Sequence, residues 1–155
     1  MIKKVLFVCT GNTCRSPMAE AVAKKIIKNR KLSNLKVESA GISVMPGDAI
    51  SKNAKDALKL IGITCNHKAR QFDLDMIKQY GLILTMTKMQ KEAIGNFENI
   101  LTIEEYTNRP EISDPYGQNL MAYIETCEEI EKAVSIMIEK ITLEVEDVIF
   151  WLYQN

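Results

Sequence analysis

The 155-residue chain has no excess charge of either sign, because 20 Lys and Arg balance 20 Asp and Glu. That balance excludes the global field that recruits nucleic acid or an anionic membrane surface, so a charged ligand must be held locally. No apolar run approaches the ~18 residues that a membrane-spanning helix needs. Met1-Ile2-Lys3-Lys4 leads straight into a strand-like stretch. This leaves no room for the separate apolar segment and cleavage site of a signal peptide, and a cytoplasmic location is expected. Four cysteines (Cys9, Cys14, Cys65 and Cys127) are too few and too scattered for a disulfide-built secreted scaffold. His67 is the single histidine, so the pair Cys9-x4-Cys14 has no second Cys/His pair to complete a zinc site. Neither a metal nor another cofactor is expected. Repeats, low-complexity segments and linkers are lacking too, and the length suits one domain over residues 1–155.

What is present alternates. Val5 to Val8 is a short apolar, β-branched run, as expected of a strand covered on both faces. "SPMAEAVAKKIIKNR" places Ala19, Val22, Ala23, Ile26 and Ile27 at helical spacing, with Pro17 in the first turn, where its missing N–H costs nothing. "LKVESAG" (35–41) reads as a second strand. Helices follow in "KNAKDALKLIG", ended by Gly62, and "LDMIKQYG", ended by Gly81. "GLILTMT" (81–87) is a third strand, "KMQKEAIGNF" a helix and "NILTIEEY" (99–106) a fourth strand. The order βαβαβαβ with short connections predicts an α/β fold of three layers, a four-stranded parallel sheet with helices on both faces and right-handed crossovers. After the polar loop 107–119 comes a long helix carrying Leu120, Ile124, Cys127, Ile130, Val134 and Ile138 on one face. From roughly residue 141 the chain ends in the apolar extension "TLEVEDVIFWLYQN". It is expected to pack on its own domain, with a partner surface such as a homodimer contact as the alternative.

The stretch "CTGNTCRS" (9–16) joins the first strand to the first helix. In a parallel α/β sheet, ligands collect at the carboxyl ends of strands. A helix amino terminus there offers unpaired N–H groups and a partial positive charge to phosphate-like anions. Gly11 is expected to let the backbone bend, and the small Thr10, Asn12 and Thr13 to leave the amides free to converge. Arg15 adds a planar charged fork suited to two phosphate oxygens. With Cys9 at the mouth, the same donors stabilise a thiolate, the nucleophilic form of cysteine. A G-x4-G-K-[ST] nucleotide loop is excluded, since that spacing does not occur.

Cys9-x5-Arg15-Ser16 directly after a strand resembles the active-site loop of the low-molecular-weight protein tyrosine phosphatase family. "ESAGI" (38–42), "GITCNHKARQF" (62–72), "LILTMT" (82–87) and "DPYG" (114–117) resemble family segments in the same order. The resemblance implies that family's Rossmann-like fold and a phosphoprotein substrate. It also implies a two-step mechanism in which Cys9 forms a phosphocysteine that water hydrolyses. It makes Arg15 a catalytic residue and Asp114 the general acid and base, beside a proline that restricts its backbone. Ser16 would donate to the sulfur, and Asn12, Ser39 and His67 would support the loop, Asn being among the residues that tolerate positive φ.

Family members specific for tyrosine carry a bulky apolar residue where this sequence has Thr13, and a threonine there resembles the bacterial protein-arginine phosphatases. A guanidinium is polar and costly to leave without hydrogen-bond partners, which a hydroxyl can help supply. "HKARQ" looks like the tyrosine-specific members instead, and Tyr116 could line an aromatic slot, so a tyrosine phosphatase is the alternative. Thioredoxin-coupled arsenate reductases share the loop but need two further cysteines, and residues 78–100 contain none. Phosphocysteine carrier domains lack the arginine and the late acid. Cys14, five residues from Cys9, is a candidate for a reversible protective disulfide.

Overall fold

A computed structural model describes residues 3–155. The reading of the amino terminus involves Met1 and Ile2, which lie outside the described residues. Strand β1 (Lys3–Cys9) pairs in parallel with β2 (Leu35–Gly41) on one side and with β3 (Leu82–Thr85) on the other, and β3 pairs with β4 (Ile100–Thr102). The sheet order is therefore β2-β1-β3-β4, all parallel. The first crossover leaves β1 in one direction and the second returns past it to β3. The carboxyl ends of β1 and β3 thus flank the switch point where open α/β sheets bind ligands.

The unbroken apolar run of β1 has a physical reason. Val5 and Phe7 pack into a core with helix α1 (Arg15–Arg30), α2 (Lys52–Leu60) and α6 (Leu120–Gln154). Leu6 and Val8 point the other way, into a smaller core with Phe72, Tyr80 and Met76 of α3 (Met76–Gln79). All four side chains are fully buried, each stabilising the fold by roughly 1.5–3 kcal/mol. Because both faces are apolar from Val5 onward, the side chains of Val5 to Cys9 are held and the strand's carboxyl end is a fixed platform. Between β3 and β4 lies α4 (Lys88–Ile94), whose start is a reciprocal cap: Thr87 accepts from the Gln90 amide, and the Gln90 side chain accepts from the Thr87 amide.

Two elements differ from the sequence reading. The fourth strand stops at Thr102, and residues 103–106, read as strand, form helix α5 (Ile103–Thr107). Thr102 and Glu105 make a second capping box, each side chain accepting from the other's amide at 3.0 and 2.9 Å, and this starts a helix within the stretch read as strand. The long helix does not stop near residue 140 but runs on as one 35-residue element to Gln154. Its last turns do not pack on the domain: Val148, Phe150, Trp151 and Leu152 are exposed. Among the described residues no helix is long and apolar enough to cross a membrane.

Candidate active site

Residues 10–14 connect the end of β1 to the start of α1, beside the end of β2. Cys9 sits opposite Gly41 in the sheet register. A Cβ on Gly41 would lie 2.7 Å from the Thr10 carbonyl oxygen and 2.9 Å from the Asn12 nitrogen, so only glycine lets the loop pass so close. The bend itself falls at Asn12, with φ of 55°, and not at Gly11, which was expected to supply it. Gly11 lacks a positive φ, and the nearest atom to its added Cβ is 3.7 Å away.

Asn12 is completely buried and fully hydrogen-bonded. Its Oδ1 accepts from His67 Nε2 at 2.9 Å and from the Arg70 backbone amide at 2.8 Å. Its Nδ2 donates to Ser16 Oγ at 2.8 Å and to Ser39 Oγ at 3.0 Å. His67 Nε2 also donates to the Asn12 carbonyl at 3.2 Å. Since both of its partners there are acceptors, the ring carries its proton on Nε2. Burial pushes the His67 imidazole below its ordinary range, which keeps it neutral in this role. Four anchors from three segments therefore hold one left-handed residue whose conformation alone would cost about 1 kcal/mol or more.

The same bonds orient donors onto the sulfur. The Asn12 backbone N–H points at Cys9 Sγ, 3.3 Å away. Ser16 Oγ lies 2.9 Å from that sulfur. Because Ser16 Oγ already accepts from Asn12 Nδ2, its own proton is available to Cys9, the competing acceptor, the Ala40 carbonyl, being 3.4 Å away. Two donors thus converge on one buried sulfur, placed to receive negative charge there.

Arg15 is the first residue of α1 and is 5% exposed. One guanidinium nitrogen donates to the Ile112 carbonyl at 3.1 Å, and the other stands 3.3 Å from Asp114 Oδ2. Asp114 Oδ1 accepts from the Tyr116 amide at 3.1 Å, which fixes the carboxylate over the loop while leaving it half exposed. Thr10 Oγ1 accepts from Gln90 Nε2 at 3.2 Å. Cys9, Thr10, Gly11, Thr13, Cys14 and Arg15 floor an open cavity of about 260 Å3, with Ser43, Met45, Asp48, Asp114 and Tyr116 at its rim. Asn12, Ser16, Ser39 and His67 stand behind the floor.

Cys14 turns to other company. Its sulfur lies 3.4 Å from Ser51 Oγ and 3.3 Å from Tyr123 Oη, and Cys9 and Cys14 are both free thiols. Burial first, then the contact with Cys14, push the Tyr123 phenol up. Sequence reasoning missed Gln90, Tyr123, the Ile112 carbonyl and Arg70. Arg70 donates its amide to Asn12 while its guanidinium is held by Tyr80 at 3.0 Å and Glu38 at 3.5 Å. The Tyr80 hydroxyl, and after it Arg70, hold the Glu38 carboxyl below its ordinary range. Only Gln90 had a readable signal, the Thr87-x-x-Gln90 box. Among the described residues no three His, Cys, Asp or Glu side chains cluster as a metal site would require.

A thiol under converging donors, an arginine beside it and a carboxylate above, at the switch point of a parallel sheet, define the class as cysteine-dependent phosphatases. The family model for low molecular weight phosphotyrosine protein phosphatase matches residues 4–147. The chain belongs to that family. It is 35% identical to a protein-arginine-phosphatase of Bacillus subtilis over 135 residues, covering 83% of this chain and 89% of that one. It is 36% identical to the low molecular weight protein-tyrosine-phosphatase PtpB of Staphylococcus aureus over 132 residues, 82% of this chain and 91% of that one. The solved YwlE arginine phosphatase of Geobacillus stearothermophilus superposes with a TM-score of 0.85 at 32% identity, covering 94% of this chain and 96% of that one.

Proposed function

We propose that this phosphatase hydrolyses phosphoarginine in proteins, with Cys9 as nucleophile. The Cys9 thiolate attacks phosphorus while Arg15 and the loop amides hold the phosphoryl oxygens. The bond from phosphorus to the leaving nitrogen breaks, and Asp114 delivers a proton to that nitrogen. The carboxylate so formed then takes a proton from water as the water attacks the phosphocysteine, releasing phosphate and the thiolate. Ser16 and the Asn12 amide receive the returning negative charge on sulfur.

The observation that carries the choice of arginine is Thr13 on the cavity floor, within a rim that also holds Asp48 and Asp114. A hydroxyl and two carboxylates suit a planar cationic guanidinium, whereas a neutral phenyl ring gains from apolar contact that threonine supplies poorly. One observation favours a second reading, phosphotyrosine: the Tyr116 ring stands at the rim, exposed and free to stack on an aromatic side chain. The deciding measurement is the ratio of kcat/KM for phosphoarginine and phosphotyrosine peptides of one sequence. A ratio above one is expected, and a ratio well below one sinks the arginine reading. Acid-quenched mass spectrometry during turnover should find the phosphoryl group on Cys9, and its appearance on another residue would remove the nucleophile assignment.

A further inference from the structure

Along α6, Val134, Ile138, Ile141, Val145, Val148 and Leu152 recur at alternating spacings of four and three, the seam of a helix that packs along its whole length. The first three are buried in the domain's own core. Val145 is half-buried, and Val148 and Leu152 are 50% and 63% exposed, so one stripe runs off the domain with its last two turns uncovered. Trp151 and Phe150 are exposed on the same turns. The segment matched by the family model stops at residue 147, where this uncovered part begins.

At the foot of the tail lies an open groove of about 220 Å3, with Leu32, Leu35, Ile141 and Val145 as its apolar lining and Lys3, Lys31 and Glu146 among its polar edge. The groove is at the amino-terminal end of the sheet, away from the cavity of Cys9. After Lys140 the chain carries no Lys or Arg but has Glu144, Glu146 and Asp147. Lys3 is paired with Glu144 of its own chain at 3.0 Å, and among the described residues Lys31 has no acidic partner. An apolar tail with acidic flanks therefore stands beside a groove that has an apolar floor and Lys31 on its mixed polar edge.

We propose that the occupant is a second copy of this chain: the tail of each protomer lies in the groove of the other, around a two-fold axis beside Val145. Val145 lines the groove and belongs to the tail's stripe, so tail and groove adjoin. A two-fold operation then satisfies both at once and closes the assembly. A lipid surface is the poorer fit, because a helix end without cations is repelled by anionic headgroups and lacks the basic flank of interfacial helices. The cavity over Cys9 stays open in such a dimer.

The chain's only tryptophan, Trp151, reports on the tail directly. Sedimentation velocity of the full chain between roughly 1 and 500 µM should show a monomer passing to a dimer, with Trp151 emission moving to the blue at the same midpoint. Val148→Glu with Leu152→Glu, both at exposed positions, should weaken the dimer by about 100-fold or more and leave hydrolysis of an aryl phosphate unchanged. Lys31→Glu should weaken it by about three- to tenfold at low salt. A chain that stays monomeric over this range overturns the proposal. So does a dimer that survives both variants, and so does a blue shift seen only on zwitterionic vesicles with a monomeric protein.

Discussion

The floor and the rim of the cavity are built in opposite ways. The floor is anchored from behind: Cys9, Cys14 and Arg15 are buried, Thr10, Gly11 and Thr13 reach the cavity surface, and the wholly inaccessible Asn12 beneath them has its side chain hydrogen-bonded to His67, Arg70, Ser16 and Ser39. The rim residues Met45 and Tyr116 are 70% and 76% exposed, and Asp114 is half exposed with one ion pair and a turn bond. Interactions that must be in place before charge develops belong on rigid ground, because reorganising them during reaction would raise the barrier. Contacts that choose among substrates tolerate a softer setting. In the proposed reaction the floor supplies the nucleophile and the phosphoryl donors, while the softer rim supplies the proton carrier Asp114 and the contacts to the rest of the substrate.

The largest expected break in this comparison is Cys9→Ser. Turnover should fall by about 10⁴-fold or more while phosphate or vanadate binding persists, because the amides and Arg15 remain. Substantial residual activity would move the nucleophile elsewhere. Asp114→Asn on the rim should lower kcat by about 10²- to 10³-fold, most for aryl phosphates with poor leaving groups. Uniform loss across a leaving-group series would argue against a proton donor there. Next comes Asn12→Ala, which leaves a buried left-handed residue and strands its partners. A loss of about 2–4 kcal/mol in denaturant unfolding is expected, together with lower kcat. A stable variant of normal activity would show that the floor is not held by Asn12.

Thr13→Ile tests selection. The phosphoarginine-to-phosphotyrosine ratio of kcat/KM should drop by about tenfold with stability little changed. An unmoved ratio removes Thr13 from the choice. The smallest effect is a pH dependence from His67. Its folded-state value is lowered by burial, so the neutral form is favoured, the contribution is fully present above the ordinary 6.5, and it is lost as pH falls from there through the lowered value. His67→Gln, which can still donate to Asn12, should flatten that acid limb of a thermal-stability profile. An equally steep limb in the variant would place the titration on another group.

Much of this was legible because local chemistry and long-range order agreed. The run Val5–Val8 is apolar on both faces since both faces are buried, and Pro17 stands in the first helical turn, as its lost donor allows. Where two local signals competed, the strand was extended too far: Ile100 and Leu101 start one, but the Thr102–Glu105 box ends it and begins a helix over 103–107. Gly11 looked like the hinge because glycine bends most easily, yet the positive φ fell to Asn12, whose side chain has four partners to hold it there. The glycine that the loop cannot do without is Gly41, on another strand, where the reason is a neighbour's backbone 2.7 Å away.

By itself the sequence determined the parallel α/β order, the anion-binding turn after the first strand and the residue types that perform cysteine chemistry, since each follows from periodicity or from a few adjacent letters. Only the tertiary structure decided that Arg70, Gln90 and Tyr123 stand behind that turn. It also decided that the Cys14 sulfur meets the hydroxyls of Ser51 and Tyr123, and that the apolar end of α6 leaves the domain uncovered. These depend on which distant segments meet, and no local pattern encodes the hydrogen-bond partner or the burial that a side chain finds across the fold.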